Sequence, residues 1–150
     1  MMQRGVSVIV GSRDAALQPS LMRAIGSDLS ADDGSITVYL ARAQSRQLLH
    51  DIAATGHVAV VFSEPSTHRT VQLKASSARL RNAGPADAPV LARYLASMEQ
   101  EIQRVGYAPP LTRAMLAHDL GDVVAVSFVP QQAFDQTPGP RAGAPLGGRS

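Results

Sequence analysis

Ser45, Arg46 and Gln47 follow closely on the apolar run ITVYLA and open a segment with helical spacing. A helix start there presents unpaired backbone N–H groups, a hydroxyl and a guanidinium at one place, an arrangement suited to a phosphate. Further along, Thr70, Gln72 and Lys74 alternate through THRTVQLKA. A strand turns all three to one face and Val71, Leu73 and Ala75 to the other. A phosphate anchor followed by hydrogen-bonding groups on a neighbouring strand suits a nucleotide-like cofactor. Each signal also has an ordinary reading. Ser45-Arg46 serves equally as a helix cap beside a solvated cation, and the Thr70 row as the wet face of an antiparallel strand.

Other chemistries have less to stand on. The chain has no Cys, which removes disulfides, thiolate nucleophiles and Cys-based zinc sites. His50, His57, His68 and His118 lack the short spacings of metal-binding pairs, so no metal is expected. Glu99 and Glu101 stand two apart on a helical segment and cannot face one another. No nucleophile elbow, Walker loop or dinucleotide glycine fingerprint occurs. Any redox chemistry must therefore come from a bound cofactor. The formal charge is +2, with thirteen Arg and one Lys spread along the chain, and nucleic-acid binding is not expected. No segment approaches the ~20 apolar residues that span a bilayer, and the N-terminal residues do not read as a signal peptide. A cytoplasmic protein without membrane association is the expectation.

The elements that must carry these residues read mainly as strand. With 150 residues, three Phe, three Tyr and no Trp, one domain with a Val, Leu, Ile and Ala core is expected. Strands fit residues 6–13, 21–25, 36–41, 57–63, 69–81 and 122–129. The cluster around Asp32-Asp33-Gly34 makes a reverse turn. A helix over 45–56 has Ser45 as N-cap, Gly56 as terminating glycine and Leu48, Leu49, Ile52 and Ala53 as its apolar stripe. A second, over 87–105, is capped by Asp87, with Pro89 in its first turn and Val90, Leu91, Tyr94, Leu95, Met98 and Ile102 along one side. Thr112 caps a short third helix through 116. In 69–81 the apolar parity slips between Ala75 and Ala78, which predicts a one-residue bulge near Ser76-Ser77. The strands and helices do not alternate as a parallel sheet requires, so a small antiparallel barrel with packed helices is the expected architecture. The domain covers 1–135. The tail 136–150 holds three Pro and four Gly, so it is either disordered or laid over something.

The block VYLARAQSRQLLHDI, HVAVVFSEP and THRTVQLKASSARL resembles the pyridoxamine 5'-phosphate oxidase-like family of FMN-binding split barrels. That family runs a strand ending in an aromatic residue, a helix opening Ser-Arg-Lys, an apolar strand, and a strand beginning Arg-Gln-Val. The order and spacing agree over about half of the chain. The resemblance implies a mainly β fold with helices, a six-stranded antiparallel split barrel. It also implies a homodimer holding FMN at the subunit interface. Tyr39 stands at the aromatic position, Ser45, Arg46 and Gln47 at the phosphate-binding helix start, and Arg69 and Thr70 at the Arg-Gln pair. Thr70 thereby occupies a flavin-contacting position, and Arg23 matches an Arg of the second strand. Gln72 and Lys74 join these from strand parity alone. The pattern departs at Gln47, where the family has a second cation, and at Ala75, where it has Gly. No Lys accompanies Gly26-Ser27 to hold a substrate phosphate, so vitamin B6 oxidation is not expected. An FMN-dependent oxidoreductase acting on an unidentified small substrate is the first expectation. The alternative is a non-catalytic flavin- or haem-binding sensor.

Overall fold

The computed structural model describes residues 6–147. Strand β1 (Ser7–Arg13) buries Val8 and Val10 and turns Ser7, Ile9 and Gly11 the other way, as alternation requires. It pairs antiparallel with β2 (Pro19–Arg23) on one side and β5 (Val58–Ser63) on the other. The expected second strand ends two residues early. Ala24 donates its N–H to the Val8 carbonyl at 2.8 Å, whereas Ile25 donates to the Tyr39 carbonyl at 2.8 Å. Consecutive residues therefore bond to different sheets. Both are buried, which one flat half-buried strand does not allow. The chain turns a corner here and continues as β3 (Gly26–Leu29), which pairs with β4 (Ile36–Ala41).

A second corner replaces the expected bulge. β6 (Thr70–Ala75) ends where the parity slips, and β7 (Arg79–Asn82) begins in the other sheet against β8 (Val123–Phe128). Ala78 is fixed at the turn by its N–H, which donates to the Gly56 carbonyl at 3.0 Å. The slip arises because both strands face one core from different sheets. β9 (Gln132–Asp135) and β10 (Ala144–Pro145) complete the strands.

The result is two antiparallel sheets, six-stranded in the order β10-β9-β6-β5-β1-β2 and four-stranded in the order β3-β4-β8-β7. They pack face to face over Val8, Val10, Val60, Phe62 and Leu73 from one and Val38, Leu40, Val124, Val126 and Phe128 from the other. The fold is mainly β with helices, but the sheets do not close into one continuous six-stranded barrel. The tail contributes the edge strand. Leu146 donates to the Ala133 carbonyl at 2.8 Å, and Pro145 sits where a missing N–H is tolerated.

Helix α1 (Arg46–Thr55) ends at Gly56, whose φ of 74° is left-handed. Its buried stripe is Leu48, Leu49 and Ile52, with Asp51 in place of the expected Ala53, which is exposed. Helix α2 (Ala88–Arg104) buries Leu91, Tyr94 and Met98, and the Tyr94 hydroxyl donates to the Val6 carbonyl. Helix α3 (Pro109–Met115) starts earlier than expected, and Thr112 lies inside it with a fully buried hydroxyl. Among the described residues no helix is long and apolar enough to cross a membrane.

Candidate functional site

A short 3-10 turn, Arg42–Gln44, links β4 to α1, and Ser45 is the residue between the two helical segments. Its carbonyl accepts the Leu49 N–H at 2.8 Å, as an N-cap carbonyl should. Its side chain does not cap. Ser45 is 2% exposed, and its Oγ has no hydrogen-bond partner. Such a buried hydroxyl normally costs about 1–3 kcal/mol, and among the described residues the Thr112 hydroxyl of α3 is in the same state. Arg46 is exposed and its side chain makes no hydrogen bond or ion pair with another described residue. Gln47 is engaged, with Nε2 donating to Asp51 Oδ1 at 2.9 Å, and Asp51 Oδ2 accepts from the Ser20 hydroxyl at 2.6 Å. That chain ties α1 to β2 and leaves one cation, Arg46, at the helix start.

Thr70, Gln72 and Lys74 share the outer face of β6, opposite buried Leu73 and Ala75. Register sets Thr70 beside Ser63, Gln72 beside Val61 and Lys74 beside Ala59. The face divides between two clefts. Thr70 and Arg23 line one of about 330 Å³, with Ser7, Ser63, Glu64 and His68. There Arg23 Nη1 donates to Ser7 Oγ at 2.7 Å, and the Thr70 and Ser63 hydroxyls are 3.1 Å apart. Lys74 lines a second cleft of about 540 Å³ at the other end of the face. Gln72 is half-buried, with Gln136 Nε2 donating to its Oε1 at 3.4 Å. Neither cleft is lined by Ser45, Arg46 or Gln47. Arg69 is exposed just ahead of β6.

Tyr39 lies in the core at 2% exposure, and its hydroxyl donates to Asp87 Oδ1 at 2.8 Å. Arg81 grips the same carboxylate with two bonds of 2.8 Å each, and the Gly84 N–H donates to it at 2.8 Å. The Arg81 hydrogen bonds, with those of Gly84 and Tyr39, hold the Asp87 carboxyl well below the usual carboxylate range against the opposing effect of burial. Burial and the Asp87 bond push the Tyr39 phenol up. Asp87 thus anchors the start of α2 through Tyr39 and Arg81, closes the preceding 3-10 turn through Gly84, and makes no side-chain cap bond to α2 itself.

Residue spacing left Ser7, Ser63, Glu64 and His68 out of the site. The first two were accessible through strand parity, since they share the outer face with Ile9 and Val61. Glu64 was not. It is 2% exposed and accepts from the Thr67 hydroxyl at 2.7 Å inside the β5–β6 turn.

No protein-family model matches the sequence, and no curated protein matches it. Solved structures do match in fold. An F420 reductase superposes with a TM-score of 0.57 at 14% identity, over 88% of this chain and 91% of that one. A putative pyridoxamine 5'-phosphate oxidase from Lactobacillus delbrueckii gives 0.51 at 14% identity, over 85% and 83%. A pyridoxamine 5'-phosphate oxidase-related, FMN-binding protein from Nostoc punctiforme gives 0.51 at 12% identity, over 89% and 73%. The chain therefore has the pyridoxamine 5'-phosphate oxidase-like split-barrel fold, as the resemblance of its central block implied.

Proposed function

We propose that the protein binds FMN and acts as a flavin-dependent oxidoreductase on a small substrate. The orphaned Ser45 hydroxyl carries this reading. Buried without a partner at the start of α1, beside the unengaged Arg46, it supplies a donor at a helix start, where first-turn amides have no partner within the helix. These groups fit a phosphate, and the likeness in fold to an F420 reductase and an FMN-binding protein supports one carried by a flavin. Ser45 and Arg46 hold the phosphate, Arg46 by charge and Ser45 by its hydroxyl. Arg23 and Thr70 offer a cation and a hydroxyl to the polar edge of a flavin ring. Bound FMN supplies hydride or electron transfer, and the chain supplies anchoring, orientation and exclusion of water. The active form in this reading is a cytoplasmic homodimer with the cofactor at the subunit interface.

One observation favours a second reading, a non-catalytic flavin- or haem-binding sensor. Gln47 is tied to Asp51 and leaves the helix start with a single cation. The absorption spectrum of the purified protein separates the two cofactors, flavin bands against a haem Soret band. The phosphate assignment is tested with Arg46→Ala. FMN should weaken by about 1.5–3 kcal/mol, the range for a hydrogen bond to a charged group. Riboflavin, which has no phosphate, should bind as before. Equal losses for both ligands, read by flavin fluorescence quenching, would remove the assignment.

A further inference from the structure

The cleft that holds Lys74 has a construction of its own. Register places Leu21, Gly11, Ala59, Lys74 and Gln132 in one row across five neighbouring strands, β2, β1, β5, β6 and β9. Gly11 and Ala59 are the low points of that row, and Leu21 and Lys74 stand on either side, about 14 Å apart by strand spacing. Gly11 is not needed for the backbone. A Cβ there would meet the Ala59 carbonyl oxygen at 3.5 Å, an ordinary contact. What the missing side chain provides is open floor, and strand glycines commonly mark a close approach by a ligand.

The walls are also unusual for a solvated face. Leu17 and Leu21 are each 67% exposed beside the trough, and Leu17 is held at a φ of 66°, a conformation disfavoured for leucine. Lys74 Nζ is positioned over the Phe134 ring at 5.3 Å. Arg13 lies two residues beyond Gly11 on β1, and His57 two residues before Ala59, so both follow the same face by alternation. Among the described residues, the ionisable side chains lining the cleft are Arg13, His57 and Lys74, with no carboxylate. The volume, about 540 Å³, is that of a small-molecule site.

We propose that this trough binds a small planar anion of the aromatic carboxylate class, independently of the α1 start. The ring lies on the Gly11–Ala59 floor against Leu21, and the carboxylate pairs with Lys74 and Arg13. Calorimetric titration of the full chain with naphthoate and with its uncharged amide, naphthamide, tests this, with and without saturating FMN. Naphthoate should bind once per chain, and naphthamide about tenfold more weakly or worse. Lys74→Gln should weaken naphthoate by about tenfold while leaving naphthamide nearly unchanged. Gly11→Leu, which fills the floor, should abolish both. Should that variant fail to fold, the Lys74→Gln comparison decides alone. Arg46→Ala and added FMN should change neither ligand. The proposal is overturned by equal affinity for acid and amide, by full naphthoate affinity in Lys74→Gln, by displacement with FMN, or by no binding at millimolar concentration.

Discussion

Ser45 sits where two demands conflict. A hydroxyl with no partner in a buried position lowers the stability of the cofactor-free chain, yet it is a donor held ready at a helix start. Ser45→Ala should therefore raise the stability of the cofactor-free protein, by about 1 kcal/mol in urea unfolding, while lowering FMN affinity. A variant that is destabilised and binds FMN as before would show that the hydroxyl serves packing alone. Asp87 presents the opposite case, a buried carboxylate with every neighbour satisfied. The side chain of Arg81 is 52% exposed, so its pairing is partly screened, and Asp87→Asn should cost about 2 kcal/mol at neutral pH. The folded-state pKa of Asp87 is depressed. Its contribution is thus complete above the unfolded carboxylate value, about 3.9, and is lost as pH falls below that towards the folded value. The deficit of Asp87→Asn should accordingly shrink between about pH 4 and pH 2. A deficit constant over that range would mean that the lost stability is not electrostatic.

At the scale of elements, the two corners determine where the site groups go. Gly56 terminates α1 and also lies under the second corner. A Cβ there would stand 2.6 Å from the Ser76 carbonyl oxygen, on a backbone already left-handed. Gly56→Ala combines a conformational penalty with a backbone clash and should cost about 2–4 kcal/mol, seen as a lower urea midpoint at unchanged slope. A loss under half a kcal/mol would mean that the corner yields freely. Only strand periodicity was available to locate these corners, and it recorded the second as a change of parity after Ala75, while 21–25 read as a single strand across the first. A bulge and a corner leave the same trace in a one-dimensional pattern, because each reverses which parity faces the core. β9 was missed for another reason. Gln132–Asp135 is short and largely polar, and its partner, Leu73 with its neighbours, lies far away in sequence.

On the scale of the molecule, the outer face of the six-stranded sheet, away from the Gly11–Ala59 trough, leaves the paired Ile9 and Val61 only half-buried. Apolar side chains in adjacent strands of one face are suited to a second copy of the chain. A stable homodimer is expected, with an obligate-type interface above about 2,000 Å². Sedimentation that finds a monomer at micromolar concentration with cofactor still bound would contradict both the dimer and a cofactor site between subunits.

The sequence by itself determined the features that depend on neighbours along the chain. Helix α1 and its stop at Gly56 follow from local spacing and backbone freedom, and the outward set Thr70, Gln72 and Lys74 follows from strand alternation. The order of motifs from Val38 to Leu80 was enough to indicate the fold. Only the tertiary structure decided how those residues are grouped. It put Tyr39 into a hydrogen-bonded core cluster with Asp87 and Arg81, engaged Gln47 with Asp51, and left Ser45 buried without a partner. It also separated Lys74 from Thr70, bringing the first to Arg13 and His57 and the second to Arg23. The physical reason is that alternation specifies a face but not what stands across from it. Which strands are neighbours is settled by burying one core between two sheets, and that depends on contacts among residues far apart in the chain.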